Sequence, residues 1–351
     1  MKEINLLKLF EQDKNTQLII EFLKIRSKNH KIALKNLNGS LRTILASNII
    51  NKSNLNHVFI LDNLEDALYF LDDLNSLNRD ISFYLLPSSK RVKSGDNNVI
   101  LERIEALNSI IKKENTCIIT DAKTIKEEVI EKKAFKEKQF KIQIREKINI
   151  NQLIETLKDA NFRKTNFVLE PGEFSIRGFI IDIFSYSNEI PYRITLDDDY
   201  VDTITSFKVG SQISIKNFTE ISIVSNIEND LETKDKTTFF SYLPKNTIIW
   251  INNPMIFFET KINTKSTSTT IFSDFKKIIN DFSCIYTGHI LHENDIQIIN
   301  FKSSAQPTFN KNFEILINHL DDYKIKKYES IITVSSENQM KRLKNIFKNY
   351  L

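Results

Sequence analysis

Residues 167–201 read FVLEPGEFSIRGFIIDIFSYSNEIPYRITLDDDYV. Pro171-Gly172 is a turn pair, with proline presetting φ and glycine free to take φ > 0. From Phe174 the sequence alternates with the period of a strand. That alternation sets Phe174, Ile176, Ile180 and Asp182 on one face, and Ser175, Arg177, Phe179 and Ile181 on the other. Gly178 interrupts the run, which marks a bulge or a close backbone approach. A second strand restarts after Pro191 with Tyr192, Ile194 and Leu196 in phase; Arg193, Thr195 and Asp197 point the opposite way. Asp197, Asp198 and Asp199 form a turn into a third strand over 200–209. Strands joined by tight turns imply an antiparallel sheet. An amphipathic helix over 151–160, with Asn161 at a left-handed C′ position, precedes them.

Outward from this hairpin, the pattern changes on both sides. Before it, short helices around Leu6–Phe10 and Leu18–Leu23 lead to strand-like runs at Ile32–Leu34, His57–Leu61 (HVFIL), Ile81–Leu86 and Cys117–Ile119. Helical spacing separates the runs: 41–50, Leu64/Leu68/Leu71/Leu74 capped by Asp62 or Asn63, and Leu101/Ile104/Leu107/Ile111. Strands alternating with helices argue for a mostly parallel α/β sheet. Residues 124–138 are charged and read as helix, followed by a short strand at 141–144. After 225 a strand at 248–251 holds the one tryptophan, Trp250. Past Pro307 the order is helix, strand (331–334) and a helix opened by Ser336 and Gln339 in a capping-box pattern. The expected organisation is an α/β domain over 1–125, an inserted α+β domain over 126–224, a return segment over 225–306 and the start of a third domain over 307–351.

Composition bounds the function classes. The 351 residues are 41% hydrophobic and 27% charged, which is globular rather than disordered composition. With 49 basic and 45 acidic residues the net charge is +4, too balanced to demand nucleic acid as partner. No apolar run reaches the roughly 18 residues of a membrane span, and the first residues lack a signal-peptide pattern, so a cytoplasmic location without membrane contact is expected. Two cysteines far apart read as free thiols. Six glycines stand where average usage of about 7% would give roughly 25, so each should occupy a place where a side chain cannot.

The stretch resembles the module shared by the transcription-repair coupling factor and UvrB, whose pattern runs EPGEF-x-[VI]-RGGI-[VIL]-D-[IV]-F and then PYRIEFFGDE. Glu170 to Gly178, Ile180 to Phe184, Pro191 to Ile194, Asp199, Val201, Asp202 and Phe207 match. The runs LLPSSKR, NNVILERIEALN and SENQMKRLKNIF are similar to the coupling factor as well. The resemblance implies a degenerate helicase-like parallel sheet carrying an inserted domain that docks UvrA. It also implies that the docking arginines are Arg177 and Arg193, which alternation puts on one face of adjacent strands. A planar guanidinium fork suits such an interface. Two departures stand out: Phe179 replaces a glycine, and Asp197 occupies the place of an aromatic contact, a loss on the order of 2 kcal/mol of affinity.

A phosphate-binding loop would place glycines at 36 and 41 and lysine at 42. Asn36, Leu41 and Arg42 stand there, and only Gly39, Ser40 and Thr43 fit. The expectation is therefore a chain that is not an enzyme, uses no cofactor and does not hydrolyse ATP. The resemblance also implies that the RNA polymerase-binding and translocase domains are absent. Lys90, Arg91 and Lys93 form a small basic cluster, read as a solvated loop with at most a weak DNA contact. Cys284, His289 and His292 have a ligand-like spacing, with Asp281 and Glu293 the nearest other donors, but partly buried residues in a strand and loop are the default reading, so no metal is expected. The alternatives to a UvrA-recruiting module are a UvrB-like binder of damaged DNA and a decaying remnant of the coupling factor.

Overall fold

The computed structural model describes residues 6–25, 30–78, 80–91, 97–112, 115–225, 236–259, 270–289, 296–310 and 312–348. They fall into two compact units, Met1–Ser303 and Ser304–Leu351. Strands β1 (Lys31–Lys35), β2 (His57–Leu61), β3 (Phe83–Leu85) and β4 (Cys117–Asp121) precede the insertion. The insertion and its flanks supply β5 (Glu128–Ile130), β6 (Gln139–Gln143), β7 (Arg163–Lys164), β8 (Glu173–Arg177), β9 (Ile180–Ile183), β10 (Tyr192–Asp197), β11 (Tyr200–Phe207), β12 (Ser214–Phe218), β13 (Glu220–Val224) and β14 (Lys236–Thr238). The chain then returns with β15 (Ile248–Asn252), β16 (Ser283–Thr287) and β17 (Gln297–Asn300).

The first sheet has seven strands in the order β17-β1-β16-β15-β2-β4-β3, parallel throughout. β2 and β4 are buried along their whole length, as strands covered on both faces must be. Alternate residues serve opposite cores. Phe59, Leu61, Ile119, Trp250 and Ile285 pack with Ile19, Leu45 and Phe70 from the helices Lys14–Lys24, Leu41–Ser53 and Leu64–Leu77. Val58, Ile60, Ile118, Ile249 and Tyr286 face the other way, toward Ile104 and Leu107 of the helix Asn97–Lys112. Asn63, one of the two expected caps, accepts the Asp66 amide at 2.9 Å.

The expected helix over 124–138 is mostly something else. A single 3-10 turn, Thr124–Lys126, is followed by β5, and only Lys132–Glu137 is helical. Val129 and Ile130 are buried, and β5 pairs antiparallel with β14; a ladder to a distant segment outweighs the local charge pattern. β6 then pairs antiparallel with β13. The outgoing and returning chain thus run side by side twice, and this double ribbon carries the inserted domain.

That domain is a six-stranded sheet in the order β12-β11-β10-β9-β8-β7, antiparallel except between β7 and β8. Its inner face (Phe174, Ile181, Ile183, Ile194, Leu196, Val201 and Ile204) is buried with Leu153 and Leu157 of the helix Ile150–Asp159. Asn161 ends that helix region at φ 61°, the left-handed position expected of it. The third strand stops at Phe207, two residues before its expected end, after a register shift between Ser206 and Phe207.

In the second unit, helices Phe313–Ile325 and Glu337–Lys348 flank a segment that is not a strand. Among the described residues, no strand pairs with the expected strand at 331–334 to satisfy its backbone groups. None of the described residues after 303 is buried. Ser336 accepts the Gln339 amide at 3.3 Å, while Gln339 reaches back to the Ser335 amide at 3.0 Å. Among the described residues, no helix is long and apolar enough to cross a membrane.

Candidate functional site

Gly178 and Phe179 form a two-residue turn, with Arg177 paired to Ile180 across it. Gly178 takes φ 60°, and a Cβ there would meet nothing within 4 Å. Conformation, not crowding, selects the glycine, as the first position of a tight hairpin turn demands. This corrects the expected faces. A turn of two residues restarts the alternation, so Ser175 lies opposite Asp182 and Ile181 goes to the core. Arg193 lies opposite Asp182 from the other side. The two arginines therefore share a face, but β9 stands between their strands, which are not neighbours.

Asp182 is 1% exposed and sits between both guanidinium groups. Arg193 clamps it with two bonds, Nε to Oδ1 at 2.8 Å and Nη2 to Oδ2 at 2.9 Å. Arg177 Nη2 reaches Oδ2 at 2.5 Å. Such bidentate, charge-assisted pairs fix geometry as well as charge. Arg193 also donates to the Gln212 side chain at 2.7 Å and covers the buried Phe207 ring at 4.3 Å. Its hydrogen bond to Asp182 raises its pKa further, against the effect of burial. The Arg177 guanidinium lies 4.7 Å from the centre of the Phe167 ring and donates to the Asn166 carbonyl at 3.2 Å.

The segment beside Arg177 is held from below by Glu173. This carboxylate, 5% exposed, accepts the Leu169 amide at 2.7 Å, the Glu170 amide at 3.1 Å and Arg163 Nη2 at 2.5 Å. Burial alone would raise its pKa; these hydrogen bonds outweigh that and hold it below the usual value. Val168 points inward, so Phe167 and Leu169 point out, and both are well exposed. Gly172 (φ 87°) closes the turn because a Cβ there would overlap the Tyr186 ring. Asp197 is exposed at the end of β10, next to the turn made by Asp198 and Asp199. The sequence reading missed Asp182 as the shared partner and Phe167 as an exposed ring. The signal for Phe167 was the alternation around Val168; for Asp182 it was hidden by the wrong phase.

The loop after β1 is tied to other parts of the chain. Asn36 (φ 58°) donates to Asn300 at 2.8 Å and the Asn38 amide to Ser303 at 3.2 Å. Gly39 takes φ 57°, and Ser40 makes no side-chain cap bond. Arg42 donates to Asn252 at 2.9 Å and lies over the Phe70 ring at 5.1 Å; burial lowers its pKa against the pull of Asp66, Asp62 and Asp73. Thr43 donates to Asp73 at 3.4 Å. Asp62 accepts from Asn252 at 2.8 Å and from Asn253. These groups bond to one another at the carboxyl ends of β2 and β15, the region where open α/β sheets hold ligands.

Arg91 is exposed, whereas Lys93 and the Lys90 side chain lie outside the described residues. Cys284 is buried and its thiol is pushed up to about 12 by burial. His289 is exposed, its amide donating to Asn253 at 2.7 Å, and His292 lies outside the described residues. Both cysteines are free and buried.

Residues 140–228 match the family model described as the UvrB interaction domain. This range runs from β6 to just past β13, the strands that pair at the base of the insertion. The chain is 33% identical over 194 residues to the transcription-repair-coupling factor of Bacillus subtilis (strain 168), covering 54% of this chain and 16% of that protein. It is 25% identical over 276 residues to that of Borreliella burgdorferi, covering 78% and 22%, and 30% identical over 209 residues to that of Rickettsia typhi, covering 57% and 19%. Each match takes in less than a quarter of the relative's length. The chain therefore carries a UvrB interaction domain over residues 140–228 and is related to the transcription-repair-coupling factors across the part of them that these matches cover.

Proposed function

We propose that this chain docks UvrA through the outer face of its six-stranded sheet, in the cytoplasm, and so recruits UvrA to transcription-coupled excision repair. The observation that carries this reading is the Arg177–Asp182–Arg193 cluster. Two guanidinium groups are held on one face by a single buried carboxylate, inside the residues that match the UvrB interaction domain. A locked arginine pair loses little side-chain entropy on binding, which favours an interface anchor. A pull-down of purified UvrA tests it. The wild-type chain should retain UvrA, and Arg177→Ala/Arg193→Ala should retain about tenfold less. Equal recovery by both proteins would remove the site.

The same reading assigns the loop after β1 no ATP turnover. Support comes from Asn36, Asn38 and Arg42, whose polar groups are engaged with Asn300, Ser303 and Asn252. ATP hydrolysis in the presence of duplex DNA should not exceed the buffer rate. A rate that Arg42→Ala abolishes would contradict this.

A further inference from the structure

The turn that leads from β11 into β12 is pinned by hydrogen bonds on both sides. Gln212 holds φ 57°. Its amide donates to the Lys208 carbonyl at 2.7 Å, and its side-chain Nε2 donates to the Val209 carbonyl at 2.8 Å. The Lys208 amide in turn donates to the Ile213 carbonyl at 3.0 Å. Gln212 Oε1 accepts Arg193 Nη2 at 2.7 Å, which fastens the turn to the arginine cluster. Ser214 then lies opposite Phe207, whose buried ring sits 4.3 Å from the Arg193 guanidinium. Turn and cluster adjoin.

Two isoleucines flank Ser214 and lie open to water, Ile213 at 65% exposure and Ile215 at 51%. Strand propensity does not call for them. The outward positions of β10 and β11 satisfy it with threonines, Thr195 and Thr203 bonding to each other through their hydroxyls. Each isoleucine adds apolar surface to solvent instead. Nor does β12 invite a further strand, although it ends its sheet. Lys216 lies opposite Ser206 and Ser214 opposite Phe207, so Ile215 is the extra residue of a bulge. A bulge and an exposed lysine both discourage pairing along an edge. What the edge offers is side-chain contact: two neighbouring apolar groups on a fixed backbone.

We propose that Ile213 and Ile215 form an apolar contact for the same protein partner, UvrA, beside the arginine pair. The complementary surface is an apolar patch bordered by carboxylates, because the charged side chains of residues 208–218 are Lys208 and Lys216, both exposed. This rests on the docking reading above. It adds to the contact of the arginines a part that salt does not screen.

The test measures the affinity of the full chain for purified UvrA at low salt and at about 0.5 M salt. Thermal unfolding of each variant controls for folding. Ile213→Ser/Ile215→Ser should weaken binding by at least about tenfold at both salt concentrations. Its melting temperature should stay close to wild type, because both side chains are already in water. Ile213→Val/Ile215→Val, which keeps most of the apolar area, should bind within about threefold of wild type. Binding of the serine variant within twofold of wild type, while Arg177→Ala/Arg193→Ala loses UvrA, would overturn the inference and leave the docking reading standing. A loss that disappears at high salt would overturn the apolar contact as well. Self-association of the wild-type chain that the serine variant abolishes, with UvrA affinity unchanged, would assign the patch to a second copy and overturn the inference. If the wild-type chain does not bind UvrA, the docking reading fails and this inference fails with it.

Discussion

Asp182 sets the character of the outer face. A carboxylate that is 1% exposed is tolerable only because two guanidinium groups and a β-ladder surround it. Asp182→Ala would leave Arg177 and Arg193 facing each other without a counter-charge. The cost should be on the order of 2–3 kcal/mol, below the value for fully sealed pairs because both arginines keep some water. Urea unfolding measures it, and a change under about 0.5 kcal/mol would contradict the central role of Asp182. The two glycines of the hairpin differ in the same physical terms. Gly178→Ala meets open space and should cost about 1 kcal/mol of backbone strain. Gly172→Ala adds an overlap with Tyr186 and should cost about 2–4 kcal/mol. Similar losses at both positions would show that backbone conformation alone matters there.

At the scale of strands and helices, β2 carries a buried histidine. His57 Nδ1 accepts from Trp250 Nε1 at 3.1 Å and Nε2 lies 2.8 Å from the Ser53 hydroxyl, so the ring must be neutral with its proton on Nε2. Burial lowers its pKa to about 3. Between that value and about 6.5 the unfolded chain takes up a proton that the folded chain refuses. Stability should therefore fall on acidification through that window, by up to about 1.4 kcal/mol per pH unit. Unfolding at pH 7.5 and pH 5 should differ by about 2 kcal/mol more in wild type than in His57→Gln. An equal pH response would rule out His57 as the source. The strands themselves were readable where apolar runs were bounded: HVFIL, CII and IIWI all lie in the parallel sheet. What could not be read was parity. A bulge and a two-residue turn at Gly178 differ by one residue of phase, and that difference moved Asp182 from one face to the other. β5 was hidden because its three residues sit in a charge-rich run and find their partner only in β14.

Taken as a whole molecule, the first unit has its own core on both faces of the parallel sheet, whereas described residues after 303 have none. Amides of Phe313–Ile325 and Glu337–Lys348 should exchange with deuterium orders of magnitude faster than those of β2 and β15. Equal protection in both units would contradict this. Through the double ribbon of β5 with β14 and β6 with β13, the inserted domain is linked to the parallel sheet, with which it shares a continuous core. Its outer face, not the carboxyl end of the parallel sheet, is the surface to which docking is assigned. Hydrogen exchange with and without UvrA tests that assignment most directly. The expected result is new protection over 163–183 and 192–197 with β2 and β15 unchanged. Protection confined to 36–43 and 252–253, or no protection anywhere in the chain, would contradict it.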